Sequence, residues 1–109
     1  MDIKPFPFEV FDWAQVPAER HDGESGYADW QVIMAGSIRV RRLVYSPGYK
    51  ADHWCRKGHI IHCLSGRMTT ELDDGRLMEL AEGATYIVGD DCEAHRTSTG
   101  DGCVLFVVD

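Results

Sequence analysis

The chain has 109 residues, of which 44% are hydrophobic, so it is long enough for one domain with a core and too apolar for a disordered chain. Its formal net charge of −7 argues against binding to nucleic acid or to an anionic membrane surface. No apolar run approaches the roughly 20 residues that a membrane-spanning helix needs, and the N-terminal residues lack the apolar segment of a signal peptide. We therefore expect a cytoplasmic protein with no membrane or nucleic-acid partner.

The first 26 residues predict an N-terminal arm that is separate from the main body of the chain. A short strand is expected where apolar residues alternate, at Phe6, Phe8 and Val10. Asp12 is a suitable N-cap for a helical turn over residues 13–16, and the polar, glycine-containing stretch 18–26 predicts a loop. Exposed aromatic residues at this density need a surface to cover. We therefore expect residues 1–26 to pack on the body of the protein, which spans residues 27–109, or on a partner subunit.

Residues 27–109 predict about eight short strands separated by glycine-containing turns. The segments with strand-type sequence are 30–34, 37–45, 53–55, 59–64, 67–72, 76–80, 85–88, 95–98 and 104–108. Asp73-Asp74-Gly75 is a strong hairpin signal, and Ser65-Gly66 predicts another turn. Many short strands with almost no helix indicate an all-β sandwich or barrel.

Three residues with metal-binding side chains, His53, Cys55 and His59, lie within seven positions. In one strand His53 and Cys55 would face the same side about 6.6 Å apart and could share one ion, whereas His59 would lie about 13 Å beyond Cys55 if the strand continued straight. Bonds of about 2.0–2.3 Å cannot span that distance. We therefore predict a hairpin at residues 56–58 that returns His59 on a neighbouring antiparallel strand. His62 has the opposite strand parity to His59 and is excluded as a ligand.

These residues resemble the two sequence motifs of the cupin superfamily. The first motif runs Gly, His-x-His, Glu, Gly, and its positions are taken here by Gly48, His53, Cys55, His59 and Gly66. The second motif leads from Gly to His, here from Gly83 through Gly89 to His95. Asp52-His53-Trp54-Cys55 further resembles the signature of the small DHCW-motif cupin-fold proteins. The resemblance implies a single cupin-type β-barrel, also called a double-stranded β-helix or jelly roll, with His95 as a fourth site residue.

Two substitutions in the first motif change the metal chemistry that the resemblance implies. Cys55 stands where the motif has its second His, and His59 stands where it has Glu. The implied ligand set is therefore one thiolate and three imidazoles, from His53, Cys55, His59 and His95. This set suits one divalent transition metal ion, with zinc favoured and iron or nickel as alternatives. If all four groups bind zinc, the site is closed and structural. If Cys55 does not bind the ion, open coordination positions remain for water or a substrate.

The barrel that the resemblance implies would bring further side chains to a small-molecule ligand. Cys63, Tyr86 and Thr97 are the candidate substrate-binding residues. Tyr86 could donate a hydrogen bond, while Cys63 shares strand parity with His59 and Thr97 shares it with His95. Three arginines could pair with a substrate carboxylate but are more typical of solvated or interface side chains: Arg41, Arg42 and Arg96.

Three classes of function remain open from the sequence. The first, which we favour, is a metal-dependent enzyme acting on a small molecule, of dioxygenase, isomerase or lyase type. The second is a binding module that senses a small molecule, a metal or redox state, with Cys55 as the oxidisable group. The third is a structural barrel stapled by zinc. The four cysteines include no CxxC pair and are expected to be free, and the resemblance implies a homodimer.

Overall fold

The computed structural model describes residues 3–109, which form eight β-strands and a single-turn 3₁₀ helix at Trp13–Gln15. The strands are β1 (Ala18–Asp22), β2 (Tyr27–Ala35), β3 (Ile38–Tyr45), β4 (His59–Leu72), β5 (Leu77–Ala81), β6 (Thr85–Val88), β7 (His95–Ser98) and β8 (Cys103–Val108). The prediction of an all-β protein is confirmed. No helix within residues 3–109 is long and apolar enough to cross a membrane.

The fourth strand joins the two sheets of the barrel. In one sheet the strands follow the order β1-β2-β3-β8-β4-β6, and in the other β4 lies between β5 and β7, with every pair antiparallel. A β-bulge between Cys63 and Ser65 shifts the register of β4 and lets it serve both sheets. The turn predicted at Ser65-Gly66 is therefore wrong. Gly66 continues the strand with φ +79°, and a Cβ there would collide with the carbonyl oxygen of Gly102.

Two secondary-structure predictions for the N-terminal residues are also wrong. Where a loop was predicted over 18–26, β1 pairs with β2 along its whole length. It is an edge strand with most residues exposed, so it lacks the apolar alternation that identifies a strand. Residues 3–12, which include the predicted strand at 6–10, form no strand. The predicted cap is confirmed, because the Asp12 carboxylate accepts a hydrogen bond from the backbone N–H of Ala14 at 3.0 Å.

Part of the N-terminal arm lies on the chain's own sheet. The Trp13 ring meets the Phe106 ring edge-on, with centroids 6.3 Å apart. The Gln31 side chain donates hydrogen bonds to the carbonyl oxygens of Trp13 and Val16, at 2.7 and 2.8 Å. These contacts hold the 3₁₀ turn against β2 and β8. The division of the chain at residue 26 stays a prediction.

The inward faces of β3, β4 and β8 change from apolar to charged along each strand. The buried apolar residues nearest this change are Leu43, Ile61 and Val107. Two positions from each, and therefore on the same face, stand Arg41, His59 and Asp109. The interior of the barrel thus has an apolar core at one end and a charged region at the other.

Candidate metal centre

Cys55, His59 and His95, here called the ligand cluster, place their potential ligand atoms within 4.8 Å of one another. Cys55 and His95 are paired through the backbone, since each N–H donates to the other's carbonyl oxygen, at 2.8 and 2.9 Å. His59 is the first residue of β4, where it pairs with β6. The barrel therefore assembles the cluster from both of its sheets.

The chain between Cys55 and His59 crosses from one sheet to the other, so the predicted hairpin at residues 56–58 is wrong. Cys55 is bridged to β7, whereas His59 is paired with β6. Gly58 allows this crossing, because a Cβ there would stand only 2.7 Å from the backbone nitrogen of Asp90. The Gly58 N–H donates to the Asp90 carboxylate at 2.6 Å and secures the close approach.

Asp109 fixes the orientation of the His59 ring. His59 Nδ1 donates to the Asp109 carboxylate at 2.8 Å, and Nε2 lies 3.4 Å from Cys55 Sγ. Burial lowers the pKa of His59, and Asp109 opposes this effect. A neutral ring with its proton on Nδ1 presents the Nε2 lone pair to the cluster, which is the form that binds a metal ion.

His95 has a nitrogen atom without a hydrogen-bond partner inside the barrel. Its Nδ1 lies 2.9 Å from the backbone carbonyl oxygen of Glu93, which can only accept, so Nδ1 carries the proton. Nε2 is then an acceptor, and it has no partner within residues 3–109 although only 3% of the residue is exposed. A buried polar atom without a hydrogen-bond partner lowers the folding stability by about 1–3 kcal/mol. A bound metal ion would satisfy it.

The donor types of the ligand cluster, together with the distance between Cys55 Sγ and His59 Nε2, fit a transition metal ion. On a tetrahedron with Zn–S bonds of about 2.3 Å and Zn–N bonds of about 2.0 Å, a sulfur and a nitrogen ligand are about 3.5 Å apart. Cys55 Sγ and His59 Nε2 are 3.4 Å apart. Two imidazoles and one thiolate suit zinc, iron or nickel, whereas magnesium and calcium prefer oxygen ligands.

His53 lies outside the ligand cluster. Its side chain is 72% exposed, and its Nδ1 lies 2.7 Å from Asp52 Oδ1. It does line the same cavity as the cluster. The role of His53 as a fourth ligand therefore stays a prediction.

Asp109 is a site residue that the sequence analysis missed. Its carboxylate accepts two hydrogen bonds from Arg39, at 2.9 and 3.1 Å, one from Arg41 at 2.8 Å and one from His59 at 2.8 Å. Its side chain is 1% exposed. Burial alone would raise the pKa of Asp109, but Arg39, Arg41 and His59 together lower it to about 2. Strand parity was the available signal, since Asp109 follows the inward-facing Val107 by two residues.

A cavity of about 150 Å³ adjoins the ligand cluster and is lined by two of the predicted substrate-binding residues, Tyr86 and Thr97. The Tyr86 hydroxyl is buried without a hydrogen-bond partner in the described chain, and burial raises the pKa of this tyrosine. The structure does not bring the third predicted residue, Cys63, to the cavity. Cys63 is fully buried in the core, where its thiol donates to the carbonyl oxygen of Ser65 at 3.4 Å.

No protein-family model matches the sequence, and no curated protein matches it. Solved structures do match the fold. The polyketide cyclase RemF from Streptomyces resistomycificus is 22% identical with a TM-score of 0.78, over 94% of this chain and 78% of that one. A predicted oxalate decarboxylase from Thermotoga maritima is 15% identical with a TM-score of 0.77, over 92% and 96%. An RmlC-like cupin from Shewanella frigidimarina is 15% identical with a TM-score of 0.71, over 94% and 89%.

The sheet topology and these matches together define a cupin-fold protein with a potential metal site inside its barrel. The prediction of a cupin-type barrel is confirmed. Likeness at these identities concerns the fold, so the narrower resemblance to the DHCW-motif proteins stays a prediction.

Proposed function

We propose that the protein is a metal-dependent enzyme that binds one divalent transition metal ion at the ligand cluster and acts on a small molecule beside it. The observation that carries the proposal is the buried Nε2 of His95, which has no hydrogen-bond partner in the described chain and belongs to a cluster with a thiol and a second imidazole. Zinc is the favoured ion because of the sulfur ligand, with iron and nickel as alternatives.

Groups outside the cluster orient both of its imidazoles, those of His59 and His95. Asp109 holds Nδ1 of His59, and the carbonyl oxygen of Glu93 holds Nδ1 of His95. Partners of this kind fix the tautomer and raise the basicity of the coordinating nitrogen. Cys55 would bind as the thiolate, and His53 is the proposed fourth ligand.

The exposure of His53 favours an accessible site over a closed structural one. An ion held by the ligand cluster, with His53 as an exposed ligand that water or a substrate can displace, would keep an accessible position and would supply Lewis-acid catalysis or an activated water there. Tyr86 and Thr97 line the adjoining cavity, where their hydroxyl groups can hydrogen-bond a ligand. Dioxygenase, isomerase and lyase chemistry are the candidate reaction types. A polyketide cyclase and a predicted oxalate decarboxylase among the proteins with this fold support an enzymatic role.

Redox sensing is a second candidate because Cys55 is only partly buried and lines the cavity. Oxidation of its sulfur would remove one ligand from the cluster and release the metal. Peroxide treatment followed by metal analysis separates the two functions: reversible release at low peroxide, restored by a thiol, supports sensing.

Metal analysis by mass spectrometry of protein purified without added metal tests the metal site. We expect about one ion per chain in the wild type and a large loss in His95→Ala, because the buried imidazole of His95 is one of the three ligands of the cluster. His62→Ala is the matched control, since the His62 ring contacts Thr85 away from the cluster. Less than about a tenth of an ion per chain in the wild type, with none taken up on dialysis against zinc, would overturn the proposal. Anomalous diffraction at the metal edges then identifies the ion.

We also propose that the protein is a cytoplasmic homodimer. Strand register places five aliphatic residues in one row across the outer face of the larger sheet: Ile33, Val40, Val108, Ile60 and Ile87. A sheet face exposed to water is normally polar, and an apolar row can pack on its own copy about a twofold axis. Light scattering should show a dimer that Ile87→Glu weakens and Leu77→Glu, on the other sheet, does not. A wild type that is monomeric in light scattering would refute the proposed dimer.

The four cysteines form no disulfide, which supports the proposed cytoplasmic location because the cytoplasm is a reducing compartment.

A further inference from the structure

The cavity beside the ligand cluster is basic, although the chain as a whole is acidic. Four of the 11 lysine and arginine residues line it: Arg39, Arg41, Lys57 and Arg96. No Asp or Glu from the described part of the chain is among its lining residues. The whole chain, by contrast, has 18 acidic residues and a formal net charge of −7. A local reversal of charge concentrates anions at a site.

The carboxylates that contact these cations do not neutralise them. Asp109 bonds Arg39 and Arg41, and Glu71 bonds Arg96 at 3.1 Å. Lys57 has no carboxylate partner within residues 3–109. The four cationic side chains of the cavity therefore contact only two carboxylates, so their positive charge is not fully balanced even without a metal ion.

Arg41 keeps unused hydrogen-bonding capacity inside the barrel. Only 5% of the residue is exposed, and its Nη2 donates to Asp109 at 2.8 Å. Its Nε has no hydrogen-bond partner in the described chain. The guanidinium carbon lies 4.6 Å from the centroid of the Trp30 ring, which holds the group in place. A buried guanidinium with an unsatisfied N–H is unfavourable unless a ligand supplies the acceptor.

The distance from Arg41 to the ligand cluster limits the length of such a ligand. One oxygen of Asp109 accepts from both Arg41 Nη2 and His59 Nδ1, each at 2.8 Å. A ligand that contacts both the guanidinium and the cluster is therefore short. The cavity volume of about 150 Å³ agrees with this, since an apolar cavity of that size in another protein binds benzene, a molecule of about six non-hydrogen atoms.

We propose that the site takes a short carboxylate of about six to nine non-hydrogen atoms. Its anionic group is bound by the arginine and lysine side chains of the cavity, where charge-assisted hydrogen bonds favour it over a neutral group. Its second polar group faces the ligand cluster. That second contact rests on the proposed metal site, whereas recognition of the carboxylate does not.

Isothermal titration calorimetry of the full chain, both metal-free and zinc-loaded, tests this inference with three matched pairs of probes. Pyruvate and lactate, paired with pyruvamide and lactamide, carry a second polar group, whereas benzoate, paired with benzamide, tests recognition of the carboxylate alone. Each amide keeps the shape of its acid and loses the charge. We expect at least one carboxylate to bind about tenfold or more tightly than its amide, with an advantage that shrinks at high salt.

Two variants and one control locate the binding to this cavity. Lys57→Gln should weaken carboxylate binding by about two- to fivefold, as expected for an exposed charge. Arg41→Lys keeps the charge but removes the planar fork, so it should lower the carboxylate-to-amide ratio by more than Lys57→Gln does. Lys50→Gln should change nothing, because Lys50 pairs with Glu24 outside the cavity.

The outcomes separate this inference from the proposed metal site. If zinc binds and no carboxylate is preferred over its amide, the carboxylate inference is overturned and the metal site stands. If zinc does not bind and the metal-free protein still prefers a carboxylate in a Lys57-dependent way, the inference stands and the proposed function fails. If Lys57→Gln and Lys50→Gln bind the carboxylate with equal affinity, the carboxylate inference is also overturned. This comparison does not depend on whether Arg41→Lys folds.

Discussion

Replacing Asp109 by Asn removes the charge from a carboxylate that holds two arginines and one imidazole of the ligand cluster. In the folded protein the pKa of Asp109 is lowered from 3.8 to about 2. A lowered pKa means that the charged form stabilises the fold, and a shift of this size corresponds to about 2 kcal/mol of unfolding free energy at neutral pH. We expect D109N to lose about this amount, and with it roughly 10 °C of melting temperature.

The pH dependence of this loss has a definite sign. The contribution of Asp109 is complete above its unfolded pKa and disappears as the pH falls through the folded value of about 2. At pH 3 about half of it remains. The difference in stability between the wild type and D109N should therefore fall from about 2 kcal/mol at pH 7 to about 1 kcal/mol at pH 3.

Urea unfolding followed by tryptophan fluorescence at both pH values measures the difference. D29N is the matched control, because Asp29 bonds Arg20 with two hydrogen bonds at 2.9 and 3.1 Å but does so on the surface. An exposed pair of this kind contributes about 1 kcal/mol or less. The reasoning is refuted if D109N is no less stable than D29N at pH 7, or if its deficit is the same at pH 3.

Three further predictions concern the ligands and the chain that positions them. Cys55→Ser should weaken zinc binding by about tenfold or more and abolish the sulfur-to-metal absorption of the cobalt-substituted protein; an unchanged spectrum would show that the thiolate does not bind. His53→Ala should also weaken zinc binding in calorimetry, whereas His62→Ala should not, and equal affinities would remove His53 from the ligand set. Gly58→Ala should lower stability in thermal unfolding by about 1–3 kcal/mol, because its Cβ would press on backbone atoms. Gly100→Ala, which has open space around the new Cβ, should be nearly neutral, and similar effects of both would contradict the crossing described above.

Several strands could be predicted from the sequence because their side chains alternate between two faces or because glycine-containing turns bound them. The predicted strands 85–88 and 95–98 coincide with β6 and β7. The hairpin at Asp73-Asp74-Gly75 joins β4 to β5, with Gly75 at φ +91°. The strand β1 could not be predicted, because it is an edge strand with most of its side chains exposed to solvent. Its sequence therefore has no apolar alternation.

At the candidate site, residue spacing and the cupin resemblance identified the ligand cluster but not the way the chain builds it. The hairpin prediction assumed that nearby residues pair with each other, whereas the partner of Cys55 is His95, far along the chain. Asp109 was missed for the same reason. Its role depends on the pairing of β3 with β8, which places Arg41 opposite Val107 and so brings the arginine to the next inward side chain. Strand parity can place Asp109 on the inward face, but the long-range register that brings it to Arg41 leaves no local mark in the sequence.

Because Asp109 holds both a cluster imidazole and the cavity arginines, D109N should change two affinities in opposite directions. Zinc binding should weaken by about tenfold or more, since the His59 ring loses the carboxylate that orients it. Carboxylate binding to the metal-free protein should strengthen by about two- to fivefold, because Arg39 and Arg41 lose their charged partner and turn to the ligand. Calorimetry with zinc and with the carboxylate probes measures both. If the two affinities fall together, Asp109 acts only by holding the fold, and the division of its hydrogen bonds between metal and anion sites is wrong.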